Sequence, residues 1–137
     1  MIFTLIFNAL GAVSDVQSRV IPDWISLSYL AVSIAFSLVQ RGIPATLVLL
    51  VLLFASSEIM FRIGGFGGGD LKLMSGVILI HGREGLWMIY WGLVISLIIY
   101  AGMAIQRRTT KVSVPYALAL LLGILVYGAY DFLNTIA

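Results

Sequence analysis

Cysteine is absent from the 137 residues, which removes disulfides, thiolate zinc sites and cysteine nucleophiles from the chemistry open to this chain. Charge is nearly as scarce: Asp, Glu, Lys and Arg make up 10% of the sequence, while 61% of it is apolar. Too few polar side chains remain to clothe a water-soluble globule of this size, so the solvent for most of the surface is lipid. Eight Lys and Arg against six Asp and Glu leave a formal charge of +2, too thin a set for a nucleic-acid footprint. Residues 1–13 are apolar but lack a basic leading segment and a small-residue cleavage pattern, and are expected to form a first membrane helix rather than a removable signal.

Cutting the sequence at its charges, glycine clusters and prolines leaves six apolar segments: 1–16, 24–40, 43–63, 70–82, 85–105 and 114–136. Lipid forbids unpaired backbone, so each is expected to be helical. The predicted architecture is an all-α membrane protein, a bundle of about six transmembrane helices in a single membrane-embedded domain over 1–137. Turns are expected at 17–23, 41–42, 64–69, 83–84 and 106–113. The third and fifth segments, 21 residues each, would be about 31 Å long at helical rise and span a hydrocarbon core of about 30 Å. An even number of spans puts both termini on one side of the bilayer. One set of turns holds Arg19, Arg62, Lys72, Arg107, Arg108 and Lys111, and the other only Arg41 and Arg83. The richer side is assigned to the cytoplasm and both termini to the outside. Trp87 and Trp91 then sit near the outer interface, as anchors do.

Ionisable groups at membrane depth are costly and usually functional, so the six acids are the informative residues. Glu84 sits beside Arg83 in an outer turn, and Asp131 is six residues from the end; neither needs a special role. Glu58 precedes Arg62 by four residues, the favourable order for a helical ion pair. Asp23 after Pro22 reads as the opening of a helix. Asp15 and Asp70 are different. Asp15 lies 14 residues from Met1 and Asp70 lies 12 from Gly82, which places them about 21 Å and 18 Å from the outer surface. Two carboxylates at one depth can share a proton, the ionised member activating water while the protonated one polarises a carbonyl. That is the chemistry of an aspartic protease. Asp15 would stand near the carboxyl end of its helix and Asp70 at the amino end of its own. The opposed dipole ends predict that Asp15 holds the shared proton.

Gly64, Gly65, Gly67, Gly68 and Gly69 precede Asp70 and would let backbone bend and a substrate strand approach closely. A phosphate-cradling loop is discarded: the run lacks a Gly-Lys-Ser/Thr ending, and the adjoining aspartate would repel phosphate.

The motif Gly67-Gly68-Gly69-Asp70, followed by Leu71-Lys72-Leu73, resembles the Gly-x-Gly-Asp signature of the type IV prepilin peptidases and the related archaeal preflagellin peptidases. The stretch from Asp15 to Asp23, Asp-Val-Gln-Ser-Arg-Val-Ile-Pro-Asp, is similar to the family's first aspartate and its Ile-Pro-Asn/Asp turn. Val114-Pro115-Tyr116 looks like the start of its last membrane segment. The resemblance implies that Asp15 and Asp70 are the catalytic pair, and that Gly67, Gly68, Gly69, Pro22 and Lys72 shape the loop or meet the substrate. Lys72, two residues beyond Asp70, is expected to reach lipid headgroups or an acidic substrate group. The implied reaction removes the short basic leader of a prepilin-like membrane protein at the cytoplasmic face of the inner membrane, without metal or cofactor. Methylation of the new amino terminus, associated in larger relatives with a cysteine-rich segment, is not expected here. The rival from another class is a small ion- or proton-coupled transporter using Asp15, Glu58 and Asp70. A purely structural membrane subunit would leave the Gly-Asp loop unexplained.

Overall fold

The computed structural model describes residues 1–18, 20–63, 67–107 and 114–136, with the side chains of Ile63 and Arg107 left aside. These residues form five helices: α1 (Ile2–Ser18), α2 (Asp23–Ile63), α3 (Gly68–His81), α4 (Arg83–Arg107) and α5 (Tyr116–Ile136), with no strand among them. Stretches of α2, α4 and α5 are long and apolar enough to cross a membrane, and α1 is a shorter apolar helix. The protein is therefore an all-α membrane protein, as its composition predicts.

The expected bundle of six separate helices is corrected to five. Segments 24–40 and 43–63 are joined in α2, because the turn foreseen at 41–42 narrows to one residue. Gly42 alone leaves helical geometry, at φ 77 and ψ 172, a conformation that lacks a steric penalty only in glycine. Pro44 follows, fixing φ where the second arm begins and where a missing N–H costs least. The two arms fold back on each other: the Ser37 and Thr46 hydroxyls, nine residues apart, hydrogen-bond at 3.1 Å. A straight helix would hold them about 13.5 Å apart.

Two other boundaries shift. Gly68 and Gly69, foreseen in a loop, form the first turn of α3, whereas Gly64, Gly65 and Phe66 lie outside the described residues. Arg83 and Glu84, foreseen as a turn, open α4, since Gly82 alone at φ 60 ends α3.

Helix α3 is the middle of the bundle. Leu71, Leu73, Met74, Ser75, Gly76, Val77, Leu79 and Ile80 are all buried, and a helix apolar all round belongs inside. It is held at both ends. At its carboxyl end the Arg41 guanidinium, presented by the α2 reversal, donates to the carbonyls of Leu79 and Ile80 and to the Ser37 hydroxyl. A cation is well placed on those orphan carbonyls. His81 meets the Thr4 hydroxyl of α1 at 2.9 Å. Along its length α3 approaches α2 closely: a Cβ added at Gly76 would run into the ring of Tyr29, which is fully buried and stacks on Phe7 with centroids 5.3 Å apart.

Gly76→Val should therefore separate α3 from α2 and destabilise the fold by roughly 1–3 kcal/mol. Gly102→Val, where an added Cβ meets nothing within 4 Å, should leave stability nearly unchanged. Thermal denaturation of the two detergent-solubilised variants measures the contrast, and equal midpoints would contradict this packing.

Candidate active site

The site lies where the ends of three helices meet. Asp15 is in the last turns of α1 and is 8% exposed. The adjoining Val114-Pro115 pair stops helix from extending backwards, so α5 begins at Tyr116 and its first amides have no acceptor within the helix. One of them, the Ala117 N–H, donates to Asp15 Oδ2 at 3.1 Å across 102 residues of sequence. Asp70 occupies the first turn of α3. Its Oδ2 accepts the Gly67 N–H at 3.3 Å, half of a capping box, because Gly67 has no side chain to return the bond. Asp70 Oδ1 is buried and accepts no hydrogen bond among the described residues.

The structure brings Asp15 and Asp70 together: their carboxyl groups interact electrostatically, although 55 residues separate them. Matched depth along two antiparallel helices is the reason. The helix dipoles do not favour a proton on Asp15 as expected. Asp15 stands at the carboxyl end of α1 but also faces the amino end of α5, so each carboxylate meets a helix N-terminus.

The two motifs read separately in the sequence also fold onto each other. Pro22 carbonyl accepts the Ile25 and Ser26 amides at 3.0 and 3.4 Å, setting the entry to α2. Ile21 lies against Gly69 so closely that an added Cβ would sit 2.8 Å from Ile21 Cβ. Lys72 Nζ pairs with Asp23 Oδ1 at 2.5 Å. Lys72 was expected to reach headgroups or substrate; its partner in the fold is the aspartate of the Ile-Pro-Asp turn, and together they tie α2 to α3 beside the dyad. Gly68 is exposed, with nothing within 4 Å of an added Cβ, and Gly67 serves through its amide.

Beside these residues, a groove of ≈ 410 Å³ runs between the two arms of α2 and α3. Leu30, Leu53, Phe54, Gly68, Leu71 and Lys72 are among its walls. Glu58 stands at this groove and forms the foreseen i,i+4 pair with Arg62, at 2.8 Å on an exposed surface. Arg19, Arg108 and Lys111 lie outside the described residues. No group of three or more acidic or histidine side chains that could hold a metal occurs among the described residues.

Sequence reasoning missed two contributors. The Ala117 amide is backbone and carries no signal in its side chain. Tyr116 is buried, and its hydroxyl lies within electrostatic reach of Asp70. Its signal was the Pro-Tyr step at the head of an apolar helix, read above only as a helix start.

Comparison with curated proteins finds no match, and comparison with solved structures finds none either. Comparison with family models does find one, and it runs through α1 with Asp15, the Gly-Asp turn of α3 and most of α5. With residues 2–130 matching its model, this membrane protein belongs to the type IV leader peptidase family.

Proposed function

We propose that the chain is an aspartic endopeptidase in which Asp15 and Asp70 form the catalytic pair. The observation that carries this reading is the electrostatic interaction between two carboxyl groups from α1 and α3, with Asp70 Oδ1 left unengaged by the described residues. Like charges so placed favour a single shared proton. The ionised member takes a proton from water, the oxygen attacks the scissile carbonyl, and the protonated member gives its proton to the carbonyl oxygen. As the tetrahedral intermediate collapses, the C–N bond breaks and the departing nitrogen receives the proton taken from water, while one hydroxyl of the intermediate returns its proton to the other carboxylate, leaving a carboxylic acid, an amine and the singly protonated pair. Each carboxyl is oriented by an amide at a helix start, Ala117 for Asp15 and Gly67 for Asp70. Water and the two acids suffice, with no metal or organic cofactor.

The substrate in this reading is a prepilin-like membrane protein, cut after the glycine that ends its short basic leader. The Gly67-Gly68 backbone, exposed beside Asp70, leaves room for an extended segment to approach. In the sequence six of the eight Lys and Arg fall in the set of turns next to Asp15 and Asp70, Arg62 and Lys72 among them, which favours a cytoplasmic site in the inner membrane and outward-facing termini. Methyl transfer is not part of the proposed activity. The transporter alternative needs Glu58 on a common pathway with both aspartates, but Glu58 is engaged by Arg62.

Incubation with a prepilin-like precursor, followed by mass spectrometry, tests the peptidase reading. Asp15→Asn and Asp70→Asn should each lower the cleavage rate by at least about a hundredfold while leaving the protein inserted. Asp23→Asn removes only an exposed ion pair with Lys72, worth about 0–1 kcal/mol, and should keep near-normal cleavage. Near-normal cutting by either of the first two variants would overturn the dyad.

The orientation has its own test. A reporter fused after Gln106 should be found in the cytoplasm and one after Gly42 outside. The reverse result for both would place the aspartates at the other face.

A further inference from the structure

At the end of the bundle away from the aspartates, a cleft of ≈ 350 Å³ opens between α4 and α5, lined by Trp87, Trp91, Tyr127 and Tyr130. Because α5 starts at Asp15, Tyr130 lies about 20 Å further along the helix axis. Interfacial aromatics usually meet lipid one by one, but these four surround a single space. Tyr90 makes edge contacts with both indoles, at 5.9 Å to Trp87 and 5.8 Å to Trp91. The Tyr127 and Tyr130 rings are 6.5 Å apart on the facing helix.

Charge gives the cleft its second property. The charged groups acting on the Tyr127 hydroxyl are the Glu84 and Asp131 carboxylates, one from the start of α4 and one from the last turns of α5. Neighbouring Arg83 lines a separate cavity beside Pro44. A hard metal ion would want a close shell of six or more oxygens, whereas these walls are mainly ring faces. A bulky cation whose charge is spread over carbon is what ring faces attract, at about 0.5–2 kcal/mol per contact, and two nearby carboxylates add to that attraction.

We propose that this cleft binds an organic ammonium group, supplied by a phospholipid headgroup or by a free ammonium solute. The site stands apart from the peptidase reading and needs no substrate to be tested.

The protein carrying Trp24→Phe, which leaves Trp87 and Trp91 as its only indoles, is placed in a neutral sugar detergent. It is titrated with tetramethylammonium chloride, with sodium chloride and with the uncharged isostere 3,3-dimethyl-1-butanol. A saturable change in tryptophan emission is expected with tetramethylammonium alone. Glu84→Gln combined with Asp131→Asn, both exposed conservative changes, should raise the half-saturating concentration roughly tenfold.

Vesicles of phosphatidylglycerol, with and without phosphatidylethanolamine or phosphatidylcholine, separate the two sources. A headgroup occupant changes the emission when the amine lipid is included and suppresses the response to added tetramethylammonium. A free solute leaves that response intact in every vesicle. Either pattern supports the site. Equal responses to sodium or to the neutral isostere, or an unchanged double variant, would overturn it.

Discussion

Two carboxyl groups within electrostatic reach of each other, Asp15 buried and Asp70 partly buried in an apolar helical bundle, are the constraint around which the rest of this chain is arranged. Burial of an uncompensated carboxylate is costly, and a second acid beside it adds repulsion. The fold offsets part of this with unpaired amides at helix starts. α5 begins beside Asp15 so that the Ala117 N–H reaches its Oδ2, and α3 begins two residues before Asp70 so that the N–H of Gly67, the residue just ahead of the helix, reaches it. Both starts follow from local sequence: Pro115 stops α5 from extending backwards, and the extended Gly67 gives way to helix at Gly68, where α3 begins. The same arrangement leaves Asp70 Oδ1 without a partner among the described residues.

Holding that arrangement requires α3 to stay fixed, although it is short. Its carboxyl end is gripped by Arg41 from the α2 reversal, its middle is packed on Tyr29, and its amino end is tied by Lys72 to Asp23 and by Gly69 to Ile21. The fold-back of α2 at Gly42 is thus part of the site's support as well as a topological detail. It carries the Ile-Pro-Asp turn at one end and the Arg41 cap at the other, and places both against α3.

Periodic and local information was legible in the sequence; information held in long-range contacts was not. Helical rise alone matched Asp15 to Asp70, because depth in a bilayer is a one-dimensional count. The Glu58–Arg62 pair was legible for the same reason. The merging of two segments across Gly42 was hidden, since a one-residue reversal and a longer turn share the same glycine signal. That Arg41 caps α3, that Lys72 meets Asp23, and that an α5 amide meets Asp15 all depend on residues 38 to 102 positions apart. No local pattern encodes those meetings. The last one removed the dipole argument for the proton, which had considered each carboxylate only against its own helix.

The apposition of positions 15 and 70 can be measured directly, because a chain without cysteine gives any introduced thiol pair a clean background. Asp15→Cys combined with Asp70→Cys, treated in membranes with short bismaleimidoethane and mapped by peptide mass spectrometry, should give an intramolecular cross-link in most molecules. Asp15→Cys with Asp131→Cys, at opposite ends of the bundle, should give none. Absence of the 15–70 link while both thiols remain reactive to monofunctional maleimide would contradict the paired-carboxylate account.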